Sequence, residues 1–263
     1  MNIKKIKLLP KTEIKSGVTA LFWCVVILSL IAWVDKKQSE KVCQSLTINI
    51  ENELNNYFVE DTDIQALITT QGHDNIVGEP QKYIILKKLE QKVTSNQLID
   101  KAIISKTLRG NVIARVVQCK PILRISTPNG DGRYLSDKGK ILPLSSRYTA
   151  RLPIFTGPYL HKLTAKNMWA TDTLCAPYMN FLKYAMQDDM LNKMITMCYI
   201  DTHGEITIYP QIGKQTILFG KPDANTYLKL MMMKTFYEKI VPVKGWNTFS
   251  RVTLKFNKQI ICE

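Results

Sequence analysis

The sequence of 263 residues has few of the groups that most enzymes need. It contains no serine-nucleophile elbow, zinc-protease, phosphate-loop or dinucleotide-binding motif. Its three histidines, His73, His161 and His203, lie in or just after segments containing glycine, which predict solvated loops. These absences favour binding over catalysis, so we predict no enzyme activity, no catalytic residue, no cofactor and no small-molecule substrate.

Two acidic segments are weak candidates for chemistry. Asp188 and Asp189 are adjacent, but such a pair more often lies at a solvated helix end than in a catalytic dyad. Residues 129–133 superficially resemble a calcium loop, yet Arg133 stands where an oxygen ligand is needed. We therefore predict a β-turn in this segment and no metal site.

The six cysteines are not spaced like a metal or redox site, because no Cys-x-x-Cys pattern occurs. Cys24 lies in an apolar run, which leaves an odd number of thiols elsewhere, so they cannot all pair within the chain. We expect most of them to be small, buried apolar side chains. These thiols are Cys43, Cys119, Cys175, Cys198 and Cys262.

One apolar run is long enough to cross a membrane. Residues 18–34 carry no charged side chain and are bracketed by Lys15 and Asp35. As a helix, this length can just span a hydrocarbon core of about 30 Å. Apolar side chains cover its whole circumference, which argues against a buried core helix. A cleaved signal peptide is the alternative, but no small-x-small pattern follows the run. We predict a single transmembrane helix held in the lipid bilayer.

The basic residues around this run predict its orientation. More lysines precede the run than follow it, which favours a cytoplasmic N-terminus and an exported remainder. The formal net charge is +14, but the basic residues are scattered, so we predict no nucleic-acid partner. The lysines before the run are Lys4, Lys5, Lys7, Lys11 and Lys15, and those after it are Lys36, Lys37 and Lys41.

The first part of the exported chain predicts five elements in the order β-α-α-β-β. Apolar periodicity and turn residues mark each of them. The predicted elements are a strand at 42–50, a helix after Glu60 that Gly72 ends, a helix between Pro80 and Asn96, and strands at 102–107 and 112–118.

Beyond Pro121 short strand signals alternate with turn residues, and two helices are added. Asp223 is the predicted N-cap of the last helix, whose stripe of Leu230, Met233, Tyr237 and Ile240 indicates burial against a sheet. The longest strand signal runs over 248–261. The other predicted elements are strands at 122–126, 133–135, 140–142, 194–200, 205–209 and 215–219, a turn at 201–204 and a helix at 174–186.

The first unit resembles a POTRA domain, and several later segments resemble the FtsQ/DivIB family of cell-division proteins. The ordered succession of these segments is more specific than any one of them, and they are similar to the versions found in Bacteroidetes. Cys119 and Lys120 depart from the arginines usual at that point. The matching segments are 118–125, 132–144, 151–157, 210–213, 217–221, 228–230, 246 and 254–262.

The resemblance implies an α+β fold, with a single N-terminal transmembrane helix, a POTRA unit and a mainly antiparallel β-domain with packed helices. It implies a cytoplasmic tail at 1–17, a membrane helix at 18–34, a POTRA-like domain at 35–120 and a β-domain at 121–263. The protein would be a bitopic scaffold of the inner membrane, with its C-terminal domain in the periplasm and FtsB/FtsL-like division proteins as partners. A POTRA-containing adaptor of an outer-membrane assembly or secretion system is the alternative.

A mechanism for partner binding is available if the 248–256 segment lies at an open sheet edge. Unpaired backbone groups at such an edge accept a strand from another protein. The alternative, that this strand lies inside the sheet, stays open at the level of sequence. The candidate partner-binding residues are Thr248, Phe249, Arg251, Val252, Thr253, Leu254, Lys255 and Phe256.

Overall fold

The computed structural model describes residues 11–51, 57–69, 75–127, 130, 132–256 and 258–263. The predicted helix end at Gly72, the loop at His73, and Asn129 and Asp131 of the predicted turn lie outside the described residues. The described chain forms two compact units. The first takes its residues from 1–50, 61–95 and 102–116, and the second from 51–60, 96–101 and 117–263.

The first unit begins with a long apolar helix, α1, at Lys11–Ser39. Within it, Thr19–Lys37 is long and apolar enough to cross a membrane, and no part of that segment is buried in the protein. Leu21, Leu28 and Ile31 each expose more than half of their surface. The long apolar helix that the sequence predicted is therefore present, and its length and exposed apolar surface are consistent with a membrane span.

The rest of the first unit has the predicted order β-α-α-β-β. Its three strands pair in the order β1-β3-β2. The second and third strands form a hairpin, and both helices bury apolar side chains such as Ile64, Leu89 and Val93. The elements are β1 at Leu46–Glu51, α2 at Asp61–Ile68, α3 at Leu86–Thr94, β2 at Ile99–Lys106 and β3 at Val112–Gln118.

The start of β1 differs from the prediction, which placed it at Val42. Val42 instead forms an isolated antiparallel bridge with Pro80, and Cys43 N donates to Glu79 O at 2.9 Å. The alternating pattern therefore continues through a segment that pairs with the loop before α3 rather than with the sheet.

The second unit contains a sheet of nine strands within the described residues. Their order is β12-β11-β10-β9-β8-β7-β4-β5-β6, and most neighbours are antiparallel. The exceptions are β4 with β7, β7 with β8 and β10 with β11, which are parallel. The strands are β4 at Pro121–Ser126, β5 at Arg133–Ser136, β6 at Ile141–Pro143, β7 at Ile154–Thr156, β8 at Ile195–Ile200, β9 at Ile206–Pro210, β10 at Thr216–Gly220, β11 at Arg251–Thr253 and β12 at Ile261–Cys262.

The helices of the second unit contribute with the sheet to one apolar core. The Phe181 ring lies 6.2 Å from that of Phe155 on β7 and 5.0 Å from that of Phe219 on β10, which joins α5 to two strands. Aromatic contacts at these distances add to the burial of apolar area. The helices are α4 at Leu160–Thr164, α5 at Ala176–Gln187, α6 at Asp189–Met194, α7 at Thr226–Thr235, a π-helical turn at Phe236–Ile240 and α8 at Val241–Lys244.

The predicted stripe of the last helix is largely confirmed, but its predicted cap is wrong. Leu230, Met233 and Tyr237 are buried. The residue at the N-cap position is Asn225. Asp223 lies two residues earlier and forms a turn ahead of the helix, in which its Oδ1 accepts from Asn225 N at 2.8 Å. The other carboxylate oxygen of Asp223 pairs at 2.8 Å with Lys229, whose buried ammonium needs an anionic partner.

The predicted strand over 248–261 is also wrong, because the chain reverses within it. Three residues, Arg251–Thr253, form β11, and Ile261–Cys262 return antiparallel to them as β12. Lys258 has φ of 56°, a left-handed conformation that cannot continue a strand. The apolar alternation covers only Val252, Leu254 and Phe256, and it does not reveal the reversal that follows them.

The adjacent acids Asp188 and Asp189 lie at a helix start, in agreement with the preferred interpretation. Asp188 caps α6, since its Oδ1 accepts from Met190 N at 3.0 Å and from Leu191 N at 3.1 Å. Its Oδ2 accepts from Lys234 Nζ at 2.6 Å, which lowers the pKa of the Asp188 carboxyl. This carboxylate therefore fastens α6 to α7.

Replacing Asp188 by alanine should reduce the free energy of unfolding by about 1–2 kcal/mol at neutral pH, because a helix cap and an ion pair are lost. Since the folded-state pKa is lowered, this stabilisation is present above the unfolded-state pKa of about 4 and disappears as the pH falls through the folded-state value. Chemical denaturation of the detergent-solubilised chain, at neutral pH and at about pH 3, measures both effects.

Asp189→Ala is the matched control, because the Asp189 side chain is 81% exposed and pairs at 2.6 Å with an exposed Lys193. Its loss should change the free energy of unfolding by less than about 0.5 kcal/mol. Equal losses in the two variants, or an Asp188 effect that persists in acid, would contradict this account of α6.

Candidate partner-binding site

The strand β11, which carries three of the predicted binding residues, lies inside the sheet rather than at its edge. It pairs in parallel with β10, where Ile217 faces Val252, and antiparallel with β12, where Cys262 faces Val252. Leu254 N also donates to Leu218 O at 2.9 Å, beyond the end of the strand. The backbone donors of Arg251 and Leu254 are therefore already used within the chain.

The open edge next to β11 is β12, and the hydrogen-bond pattern shows which of its groups point outward. Arg251 N donates to Glu263 O at 3.1 Å, and Glu263 N donates to Arg251 O at 2.9 Å. In an antiparallel ladder such an exchanging pair alternates with a pair whose groups point away from each other. The N–H and C=O of Cys262 therefore face away from β11, toward the open side.

The side chains of the eight predicted residues divide into two groups. Val252 and Leu254 are completely buried, and the ring of Phe249 lies 6.1 Å from that of Phe236 in the core. These three residues attach the segment to the second unit. The other five, Thr248, Arg251, Thr253, Lys255 and Phe256, are exposed or half-buried.

The ionic groups among them are paired locally. Arg251 Nη1 lies 3.1 Å from Glu263 Oε2, and Lys255 Nζ pairs with the Glu205 carboxylate. Both pairs are substantially exposed, so each contributes little to stability. Thr248 Oγ1 donates to Lys244 O at the end of α8 and thus helps to form the turn before β11.

On one face of the sheet near this edge the described side chains are exposed or half-buried, and this surface was missed at the level of sequence. A row of side chains crosses the strands in register, each residue facing the next. Tyr199 and Ile261, at the two ends of the row, are each 39% exposed. We call this row the open face. Its members are Tyr199, Thr207, Leu218, Thr253 and Ile261.

The same side of the sheet is covered at its other end. The Phe58 ring lies 5.6 Å from Tyr134 on β5 and 5.4 Å from Tyr148, and Tyr134 is almost completely buried. Gln118 Oε1 accepts from Phe58 N at 3.2 Å and holds this cover in place. This side of the sheet is therefore covered over β5, at the end of the sheet away from β12.

The remaining candidates for chemistry are separated and structurally engaged. His161 Nδ1 hydrogen-bonds Pro158 O, and His203 lies in the turn where Asp201 Oδ1 accepts from its backbone N at 2.9 Å. Among the described residues, no three His, Cys, Asp or Glu side chains are grouped to hold a metal ion. Burial raises the pKa of the Cys175 thiol to about 12, which keeps it protonated and a poor nucleophile.

The described chain thus combines a helix long and apolar enough to cross a membrane, a small α+β unit and a large sheet that ends at β12. Residues 120–263 match the family described as "FtsQ/DivIB, C-terminal related", and residues 41–117 match the POTRA-like domain. Because the first match covers more than half of the chain, the chain belongs to the FtsQ/DivIB family, as the resemblance indicated. This is a family of non-enzymatic scaffold proteins. Among curated proteins, none matches the chain.

Cys262 should be the one cysteine outside α1 that reacts with a membrane-impermeant maleimide in the native protein. It is half-buried, whereas the other four are buried and free of disulfides. Burial raises the pKa of the Cys262 thiol, so its labelling should accelerate as the pH rises from 7 toward 9. Mass spectrometry of the labelled, detergent-solubilised chain measures the stoichiometry at each cysteine, and Cys262→Ser should abolish the label outside α1. Native labelling of Cys43, Cys119, Cys175 or Cys198 would contradict the packing described here.

Proposed function

We propose that this protein is a bitopic scaffold of the bacterial division machinery, which recruits and links division proteins at the septum. FtsB/FtsL-like proteins are the proposed partners. The single observation that carries the proposal is that the backbone N–H and C=O of Cys262 face away from β11, beside the open face, in a chain of the FtsQ/DivIB family. Scaffolding needs exposed complementary surface rather than a reactive group, and this region supplies it.

The proposed placement follows the charge and hydropathy of the N-terminal region. Residues 1–17 would form a cytoplasmic tail and 18–34 would cross the inner membrane, with lysine-rich sequence on the cytoplasmic side. The POTRA-like domain at 35–120 and the β-domain at 121–263 would lie in the periplasm. In this arrangement the first domain assists localisation and the second binds the partners.

Partner capture would occur by addition of a strand to β12. An extended segment of the partner would exchange hydrogen bonds with the N–H and C=O of Cys262, and its side chains would contact the open face at Ile261 and Thr253. Each ladder hydrogen bond contributes about 1 kcal/mol, so the bonds mainly fix register and direction. Burial of apolar surface at Ile261, on the strand that the partner would pair with, would supply most of the affinity at roughly 25 cal/mol per Å².

The proposed role also changes which of the eight candidate residues would touch a partner. Val252 and Leu254 would act by holding the edge in place, since both are buried. Arg251, Thr253 and Phe256 would contribute to contact and specificity because their side chains are exposed or half-buried.

Cys262→Pro tests this mechanism, because proline removes the outward-facing N–H while leaving the donors that face β11 untouched. We expect a loss of at least about tenfold in affinity for a purified FtsB/FtsL-like complex, equivalent to about 1.4 kcal/mol. Cys262→Ala, which keeps the N–H, should bind like the unchanged chain. Co-purification and titration of the full-length chains measure the difference.

The same variants can be tested in cells from which the native protein has been depleted. Depletion should give filamentous, undivided cells, and Cys262→Ala should restore division better than Cys262→Pro. Undiminished partner binding by Cys262→Pro would contradict strand addition at this edge. Normal division with defective outer-membrane proteins after depletion would contradict the division role and favour the POTRA-containing adaptor.

A further inference from the structure

The hairpin that joins β2 and β3 carries an unusual apolar residue at its tip. Leu108 exposes 82% of its surface, a larger fraction than any other large apolar residue recorded among the described ones. Its neighbour Arg109 is also exposed, and Gly110 has φ of 101°, which closes the turn. Hairpin tips in water are usually polar, so an exposed leucine beside an arginine indicates a specific environment.

This tip lies beside the membrane helix, within the first unit. Leu108 lines a shallow, largely apolar cleft together with Leu30, Ile31, Val34 and Asp35 of α1. The contact is held by the chain that follows α1, because Lys41 Nζ donates to Leu108 O at 3.0 Å. The hairpin is also attached through Val112 N, which donates to Ser45 O at 2.9 Å.

The residues of α1 beside Leu108 indicate how deep the hairpin tip lies relative to the membrane surface. Lys37 Nζ lies 5.1 Å from the centre of the Trp33 ring, and tryptophan with lysine at the end of an apolar helix is typical of the headgroup level. Leu30 and Ile31 precede Trp33 by two or three residues, about 3–5 Å toward the membrane centre at 1.5 Å per residue. A side chain level with Leu30 and Ile31 therefore reaches the boundary of the acyl chains.

The charges around the tip suit an anionic lipid surface. Arg109, Lys37 and Lys41 are exposed near the end of α1, together with Lys36, and they outnumber the acidic Asp35 and Glu40. Basic residues near a membrane attract anionic headgroups, each contributing about 1 kcal/mol. An apolar tip flanked by cations is thus complementary to the acyl chains and to the anionic headgroups of such a surface.

We propose that the β2–β3 hairpin is a second membrane contact, in which Leu108 enters the acyl boundary and Arg109 binds anionic headgroups. The inference rests on the proposed transmembrane placement of α1. A helix alone leaves the attached domain free to rotate about one linker. A second contact from a hairpin fastened to residues 41–45 fixes which side of the POTRA-like unit faces the bilayer and which side faces partners.

The test places an environment-sensitive fluorophore at the tip of the full-length chain in vesicles of phosphatidylethanolamine and phosphatidylglycerol. The background carries Cys24→Ala and Cys262→Ser, and the four remaining cysteines are buried. Leu108→Cys is labelled with nitrobenzoxadiazole. Ile103→Cys is the matched control, because it is an exposed apolar position on β2, 45% exposed, in the same hairpin. It lies five residues from the tip, about 16 Å along an extended strand.

The label at position 108 should show blue-shifted emission and should lose intensity when nitroxide-labelled lipids are included, whereas the label at 103 should remain water-like. Replacing phosphatidylglycerol by phosphatidylcholine, or adding Arg109→Glu, should weaken the quenching at 108. Water-like emission at 108 in a chain that resists carbonate extraction would overturn this inference alone. A chain that carbonate releases from the vesicles would overturn the transmembrane placement and this inference together.

Discussion

The outer end of the large sheet depends on the exchange of two hydrogen bonds between Arg251 and Glu263, at 3.1 and 2.9 Å. This exchange pairs β12 beside β11 in the sheet. It also sets which backbone groups of the two strands point toward each other and which point away. Because of it, the Arg251 N–H is used within the sheet, whereas the Cys262 N–H faces away from β11. The proposed binding edge therefore lies one strand beyond the segment with the strongest sequence signal.

The position of that edge is fixed by burial on the opposite side of the sheet. Val252 and Leu254 are fully buried, so β11 cannot move without exposing the core. Cys262 is half-buried and packs at the margin of the same core. A buried inner strand with a short outer strand suits a protein whose partner supplies the next strand. Because backbone groups carry the interaction, no single polar side chain needs to be indispensable.

The regular parts of the fold follow from the sequence because local periodicity specifies them. The hairpin of β8 and β9 was predicted within one residue at either end, since alternating apolar residues flank a tight turn where Gly204 has φ of 83°. The short elements β7, α4 and α6 were missed, because three to six residues carry too little periodicity to separate them from loops.

The binding surface was only partly predictable for a different physical reason. The strand signal over 248–261 indicates an extended, half-buried segment, but not the reversal near Lys258 or the order in which the strands pair. The open face is assembled from Tyr199, Leu218 and Ile261, which are distant in sequence and meet only through strand register. Such a surface follows from topology, which short-range patterns do not contain.

Hydrogen exchange at the Cys262 amide tests the central claim most directly. In the free, full-length chain this amide should exchange rapidly, whereas the Leu254 amide, bonded to Leu218 O at 2.9 Å, should exchange slowly. Binding of an FtsB/FtsL-like partner should protect the Cys262 amide and leave the Leu254 amide unchanged. A Cys262 amide that is protected in the free chain, or that stays unprotected in the complex, would contradict strand addition at this edge.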